Sequence, residues 1–312
     1  MKIRIGHLST FYHTAILLQA QGFVEERVGA PVEWRLMATG PAIMQAFQQK
    51  ELDLAYIGLP PAIIGMSRDI DVVCVAGGHM EGTVLAGKDR WTGSPVAAEL
   101  GDVLQQFRGM KIGVPGKGSI HDVILRHSLE QNGLARDVTV VNFAWADLVT
   151  EAVVKGEVAA AMGTPALAVA IEQFAGGKVL VPPSRIWPDN PSYGIVVDRG
   201  FLGREGAAVE AFLMLHEEAT TLMRREPRKA SQLISQFVGI VDQDFVLRTL
   251  GISPRYCAQL TDAYIASTMR FLPVLKQLGY LQNDIPQDRI FDLDAIRRIH
   301  PEKDHYSDRP LA

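Results

Sequence analysis

The chain alternates short apolar runs with stretches whose apolar positions recur at helical spacing. Residues 3–6 read as a strand. Residues 14–21 read as a helix, with Ala15, Leu18 and Ala20 among its apolar positions and Gly22 as its stop. Residues 32–36 alternate like a strand. Pro41 fits the first turn of a helix carrying Ile43, Met44 and Phe47, because its missing N–H costs nothing there. Residues 54–57 form a strand ended by Gly58, Pro60-Pro61 opens another helix, and Val72-Val73-Cys74-Val75 is a fully apolar strand. This alternation predicts a parallel sheet covered by helices on both faces.

The pattern then restarts. Residues 111–114 are a strand, Ser119 is a good N-cap, and Asp122 lies in the first turn of a helix running to about Gly133. A strand at 138–141, a helix at 148–155, a small-residue strand at 159–162, a helix opened by Pro165 and a strand at 179–181 follow. Gly58-Leu59-Pro60 and Gly163-Thr164-Pro165 are 105 positions apart, as are Thr14 and Ser119, which predicts an α/β unit used twice. Residues 194–197 are a last strand. Beyond them the chain reads mostly helical from about 202 to 281, with Phe212, Leu215, Ala219, Leu222 and Met223 as a core stripe. The polar, Pro-containing stretch 300–312 is expected to be loosely held.

Composition narrows the function classes. The 312 residues are 47% hydrophobic and 21% charged, with a formal net charge of −4 and no long Lys/Arg run, which argues against nucleic acid. The 2 cysteines cannot build a disulfide framework, and no CxxC, Cys/His cluster or HExxH spacing points to a metal. No apolar stretch is long enough for a spanning helix, and the start MKIRIGHLSTFYH does not read as an export signal. No G-x-S-x-G elbow is present. Cys74 reads as inert core, and Cys257 as a helix residue rather than a nucleophile. Gly113-Val114-Pro115-Gly116-Lys117-Gly118-Ser119 has the wrong spacing for a nucleotide loop, but would expose backbone amides to a carboxylate, sulfonate or phosphate.

In an open α/β sheet, ligands bind beyond the carboxyl ends of strands, where helix N-termini converge. Five turns qualify: residues 9–14, Thr39-Gly40-Pro41, Gly58-Leu59-Pro60, residues 116–121 and Gly163-Thr164-Pro165. Each leaves free N–H groups at the positive end of a helix dipole. Every α/β domain has such turns, so one alone is ordinary; two matching halves would set them across a cleft. Phe11, Tyr12, Trp145, Trp187 and Tyr193 cluster near these turns, either as core or as a ligand wall. His79, Glu81, His121 and Asp147 fall at strand ends or helix starts, either solvated or reading an amine or ring nitrogen.

Gly22-Phe23-Val24-Glu25, Thr39-Gly40, Leu52-Asp53-Leu54-Ala55 and Gly58-Leu59-Pro60-Pro61-Ala62 together resemble the nitrate/sulfonate/taurine-type solute-binding proteins of ABC importers, in the superfamily that includes the thiamine-pyrimidine proteins. Gly109 to Pro115, Gly118-Ser119, Gly133-Leu134, Gly156-Glu157-Val158-Ala159-Ala160 and Gly163-Thr164-Pro165 agree. The resemblance covers about residues 1–200. It implies a two-lobed, type II periplasmic-binding-protein fold with a helical C-terminal portion. Lobe one would be 1–82 plus 195–312 and lobe two 83–194, with a hinge near Gly82-Thr83 and Tyr193-Gly194. It further implies a small-molecule ligand, no cofactor, a permease and ATPase as partners, a monomer, and a place outside the cytoplasm. The family's pocket positions carry over as Phe11, Tyr12, His13, Thr39, Gly40, Gly58, Leu59, Ser119, Gly163 and Thr164. Trp187 and Tyr193 join them by expected proximity, and His121 by its place at a helix start.

The cysteine-rich motif of the thiamine-pyrimidine synthases is missing. The signal-free start and the ionisable residues His13, His79, Glu81 and His121 keep open a cytoplasmic enzyme or sensor on the same fold, menaquinone-pathway-like or pyrimidine-related. Sulfonate, carboxylate, nitrate and pyrimidine are all open as ligands.

Overall fold

The computed structural model describes residues 2–308. The first half runs β1 (Ile3–Leu8), α1 (Thr14–Gln21), α2 (Val24–Val28), β2 (Val32–Met37), α3 (Gly40–Gln48), β3 (Leu54–Ile57), α4 (Leu59–Met66) and β4 (Val72–Met80). The second runs β5 (Val84–Lys88), α5 (Leu100–Gln105), β6 (Lys111–Pro115), α6 (Ile120–Gln131), β7 (Thr139–Phe143), α7 (Ala146–Lys155), β8 (Ala160–Gly163), α8 (Pro165–Ala175) and β9 (Gly177–Val181). The short α9 (Pro183–Ile186) leads to β10 (Pro191–Asp198). The helices α10 (Arg199–Arg225), α11 (Pro227–Val238), α12 (Gln243–Ile252), α13 (Asp262–Met269), α14 (Phe271–Gln277), α15 (Gln287–Ile290) and α16 (Asp294–Ile299) follow. Among the described residues, no helix is long and apolar enough to cross a membrane.

Local chemistry sets these boundaries. Gly22 and Gly156 close α1 and α7 at φ 74° and 77°, in the left-handed region that costs glycine little. Thr39, Ser119 and Thr164 cap α3, α6 and α8 by accepting the N–H of the residue three further on. The expected repeat is present in the topology: the two sheets have the orders β2-β1-β3-β10-β4 and β7-β6-β8-β5-β9. Helix starts correspond at an offset of 106 (His13 to Ser119, Thr39 to Trp145, Gly58 to Thr164), one more than the turn glycines suggest.

The expectation of a parallel sheet needs correction. β5 runs antiparallel to β8 and β9, and β10 antiparallel to β3 and β4. Each half sends the strand that follows its last parallel one into the other half's sheet. The chain passes between the sheets over residues 81–83 and again over 182–190. Tyr193-Gly194 lie inside β10 rather than in a crossing. The two crossings touch: Asp189 N donates to Glu81 Oε1 at 3.1 Å, Glu81 N to Asn190 O at 2.7 Å and Asn190 Nδ2 to Thr83 Oγ1 at 2.8 Å. Arg255 joins both, with Nη1 2.7 Å from Glu81 Oε1 and Nη2 3.0 Å from Asp189 Oδ1.

Two further readings change. Cys257 lies on an extended stretch beside β4, where Tyr256 bridges to His79, and not in a helix. The stretch expected to be loose is packed through its described part. His300 and Tyr306 are buried, and Tyr306 OH donates to Gln259 O at 2.9 Å. One apolar tyrosine supplies the anchor that polarity counting misses. The remainder, 309–312, lies outside the described residues.

The core between β1, β3, β4 and β10 is a knot of tyrosines and histidines. Tyr12, Tyr56, Tyr193 and Tyr256 enclose His13, His79 and His216, all buried. His216 Nε2 bonds Gly77 O at 2.9 Å, and its Nδ1 lies 2.7 Å from Thr14 Oγ1. Gly78 leaves the space that Tyr193 fills, since a Cβ there would meet Tyr193 Cε2 at 2.1 Å. Gly78→Ala should therefore destabilise the fold by about 1–3 kcal/mol, read as a lowered denaturation midpoint. Burial pushes His79 down to about 3, and His121 and His216 down to about 4. Unfolding lets all three return toward about 6.5, so the unfolded chain binds more protons between those values. Their contribution to stability is complete above about pH 6.5 and is lost as pH falls toward 4. A melting temperature that stays level from pH 7 to 5 would contradict this.

Candidate functional site

The turns after the parallel strands open on one cavity between the two sheets. Its volume is about 60 Å³. The first half supplies Ser9, Thr10, Tyr12 and His13 at the start of α1, Thr39 and Gly40 at α3, and Gly58 at α4. The second half supplies Ser119, Ile120 and His121 at α6, Ala146 at α7 and Thr164 at α8, and Ser192 of β10 completes the wall. Six helices thus point their N-terminal ends at one space. The first-turn N–H groups of Gly40, Leu59, Ile120 and His121 have no acceptor within their own helices. No Asp, Glu, Lys or Arg lines the cavity. One exposed helix terminus contributes roughly 0.3–1 kcal/mol to an anion, rising to about 2 kcal/mol when partly buried. Convergent ends can therefore hold an anion without a cationic side chain.

Glycine permits the close approach of the halves. A Cβ on Gly58 would meet Ile120 Cγ2 and Ser192 O, each at 3.3 Å. Gly116, at φ +57°, sits against Thr39, whose Cγ2 would lie 2.7 Å from an added Cβ. Asp122 does not face the cavity as a free charge. Its carboxylate accepts Gly118 N at 2.9 Å, Arg126 Nε at 2.8 Å, Asn142 Nδ2 at 2.9 Å and Tyr280 OH at 3.2 Å.

The cavity's two histidines are neutral donors or acceptors at neutral pH. His13 is packed against Tyr193 (ring centroids 4.1 Å apart) and Tyr12 (4.7 Å). Burial, then the neighbouring His79, holds it well below the usual histidine range. His121 Nδ1 lies 3.1 Å from Thr83 Oγ1, which already accepts a proton from Asn190. Thr10 Oγ1 and His13 Nδ1 are buried with no hydrogen-bond partner. Buried polar atoms are nearly always paired with protein or water, so these two offer hydrogen-bonding groups to whatever polar molecule fills the cavity.

Of the residues singled out from sequence, the structure brings Tyr12, His13, Thr39, Gly40, Gly58, Ser119, His121 and Thr164 together around the cavity. Five lie off its wall. Phe11 meets Phe245 edge-on at 5.7 Å, and Leu59 is buried at the head of α4. Gly163 closes β8 against Leu167, while Tyr193 stands behind His13. Trp187 stacks flat on Phe271 at 4.1 Å and donates Nε1–H to Ser267 Oγ at 3.0 Å. His79, Glu81 and His121 are buried rather than solvated, because the crossings and β10 cover them. Sequence reasoning missed Thr10 and Ser192. Thr10 shares the turn of Tyr12 and was within reach; Ser192 enters through the exchanged strand, which leaves no local signal.

A family profile described as NMT1-like family matches residues 1–238. No curated protein matches by sequence. Among solved structures, the alkanesulfonate-binding protein SsuA from Xanthomonas axonopodis pv. citri bound to MOPS shares 18% identity at a TM-score of 0.76, covering 93% of this chain and 96% of that one. The periplasmic aliphatic sulphonate binding protein SsuA from Escherichia coli also shares 18% at 0.76, covering 93% and 92%. The periplasmic nitrate-binding protein NrtA from Synechocystis PCC 6803 shares 15% at 0.77, covering 96% and 88%. At such identity the likeness concerns the fold, which is the two-lobed α/β fold of type II periplasmic binding proteins with a helical C-terminal portion. Because the profile spans residues 1–238 of 312, the chain belongs to the NMT1-like family.

Proposed function

We propose that the chain is a solute receptor for a small, singly charged oxyanion, delivered to an ABC permease and its ATPase outside the cytoplasm. The observation that carries this reading is the convergence of six helix starts on a cavity with no ionised side chain in its wall. Sulfonate and nitrate appear in the names of similarly folded proteins, and both are oxyanions of single charge. At about 10–15 Å³ per water-sized occupant, a cavity of about 60 Å³ admits roughly four to six such atoms. That suits nitrate or a bare sulfonate head; a longer tail requires a wider cleft. Residues 2–80 with 191–308 and residues 84–181 act as the lobes, and the paired crossings at 81–83 and 182–190 act as the hinge. One cleft per chain is compatible with a monomer.

Calorimetry with nitrate, methanesulfonate and sulfate tests this. Nitrate or methanesulfonate should bind, with sulfate weaker for want of a counter-cation. Ser119→Leu fills the α6 start, and Gly58→Val blocks the approach of Ile120 without straining a backbone at φ −63°. Each should weaken binding at least about tenfold, or about 1.4 kcal/mol. Ser119→Leu also removes the α6 cap and should lower stability by about 0.5–2 kcal/mol, so affinity is read well below the variant's own melting temperature. Unaltered affinity in both variants, or chemical conversion of the bound molecule, sinks the receptor reading.

Binding should also depend on pH. The unliganded His13 is neutral because its protonated form is disfavoured by burial. A bound anion favours the protonated form of His13 and of His121, which shares the wall, so the complex takes up protons and affinity rises as pH falls below the usual histidine range. His13→Gln should make the profile shallower, leaving the part due to His121; a profile of equal slope in that variant would remove His13 from the account.

A further inference from the structure

Four donor side chains from three separate parts of the chain meet at a place that does not line the cavity. Glu217 comes from α10, Cys257 from the extended stretch after α12, and His300 and His305 from beyond α16. One ligand atom of each lies within 4.8 Å of all the others. His300 Nε2 is 3.4 Å from Cys257 Sγ and 3.8 Å from Glu217 Oε1, and His305 Nδ1 is 3.7 Å from that same oxygen. A tetrahedral ion with bonds of about 2.0–2.3 Å sets its donors roughly 3.3–3.8 Å apart. The three measured edges already have that size.

The surroundings are also those of a metal site. Cys257 Sγ accepts the N–H of Gln259 at 3.5 Å and of His305 at 3.4 Å, an arrangement that stabilises a thiolate. Glu217 Oε2 is held by Ala258 N at 2.8 Å and Thr220 Oγ1 at 2.7 Å. Oε1, the oxygen nearest the two histidines, accepts Thr221 Oγ1 at 3.1 Å and lies 3.7 Å from Arg224 Nη2, and keeps a second lone pair for a metal. His300 Nδ1 is buried without a hydrogen-bond partner, 3.8 Å from Glu302 Oε2, where a carboxylate can orient a ligating imidazole from its far side.

We propose that Glu217, Cys257, His300 and His305 form a closed four-ligand site for a divalent d-block cation, zinc by its mixed sulfur, nitrogen and oxygen donors, which pins residues 300–308 to α10. Binding replaces the thiol proton of Cys257 with the metal, so one proton leaves for each ion taken up. His305 Nδ1 exchanges its bond from Arg224 Nη2, now 3.0 Å away, for the bond to the metal. Arg224 keeps the Tyr256 carbonyl at 2.8 Å and the Asp308 carboxylate at 3.7 Å. Thiolate and carboxylate balance the divalent charge. With four protein ligands and no open position, the site is structural rather than catalytic.

The test uses the full chain, stripped with a chelator and titrated with zinc and, separately, cobalt(II). Expected are one zinc per chain by elemental analysis, proton release, a raised melting temperature, and the cobalt–thiolate charge-transfer band with tetrahedral d–d absorption. Cys257→Ser should lose the charge-transfer band. His305→Ala, at a partly exposed position, should lose the zinc-dependent rise in melting temperature while its metal-free circular dichroism stays that of the parent. Zinc that leaves the melting temperature unmoved, cobalt that shows no thiolate band, or full uptake by both variants would overturn the proposal.

Discussion

The exchange of one strand between the halves is the constraint on which the rest depends. Without β5 and β10 each half would end its sheet at β3 or β8, with β4 and β9 stranded beyond a gap. Insertion of the partner half's strand completes both ladders and fixes where the chain must cross. Because both crossings leave from corresponding positions, they lie side by side. Glu81 and Asp189 adopt left-handed backbone there, at φ 62° and 56°, conformations that side-chain-bearing residues seldom hold without support. Arg255 supplies that support by bonding both carboxylates. Two backbones are thus held at one place by one guanidinium, which is the fixed point on which the proposed hinge rests.

The exchange also orders the site. Parallel strands whose helices all start at the same sheet edge must direct those N-termini the same way, and two such units joined face to face direct them at each other. Capping residues at α3, α6 and α8 then satisfy one deep N–H each with a side-chain oxygen and leave the outermost amides free. Serine, threonine and proline at these starts therefore serve folding first. Their value to a ligand lies in the amides they do not consume.

This explains what was legible in the sequence. The N-caps Thr39, Ser119 and Thr164, the prolines after Thr39 and Thr164 and the glycine stops have local reasons to be where they are, so pattern alone located most helix starts and with them much of the cavity wall. The direction and sheet of β10 had no such reason. Its apolar run 194–197 reads the same in either direction, and β5 is too short and too small in its side chains to stand out. Ser192 was invisible in consequence, and so was the start of β10 at Pro191, ahead of the Tyr193-Gly194 expected at a crossing. Trp187 failed for another cause: an aromatic near a crossing can cover a ligand or pack on a helix, and Phe271, from a distant part of the chain, decides between them. The cluster around Cys257 draws its members from positions 217 to 305, so no motif spacing could reveal it.

The carboxylate of Asp122 looks at first opposed to an anion site, since it lies in the first turn of α6 and is fully buried. An unpaired negative charge there would cancel the positive end of the helix beside Ser119. Its partners prevent this. Arg126 and Asn142 take one oxygen, and Gly118 N and Tyr280 OH take the other. Arg126 pairs the carboxylate at 2.8 Å, and the bond from Gly118 N holds the glycine loop that delivers Ser119, Ile120 and His121. The carboxylate acts as a brace for the amides rather than a competitor for them. Under the proposed reading, the positive end of α6 is open to an anion because the carboxylate beside it is already paired inside the protein.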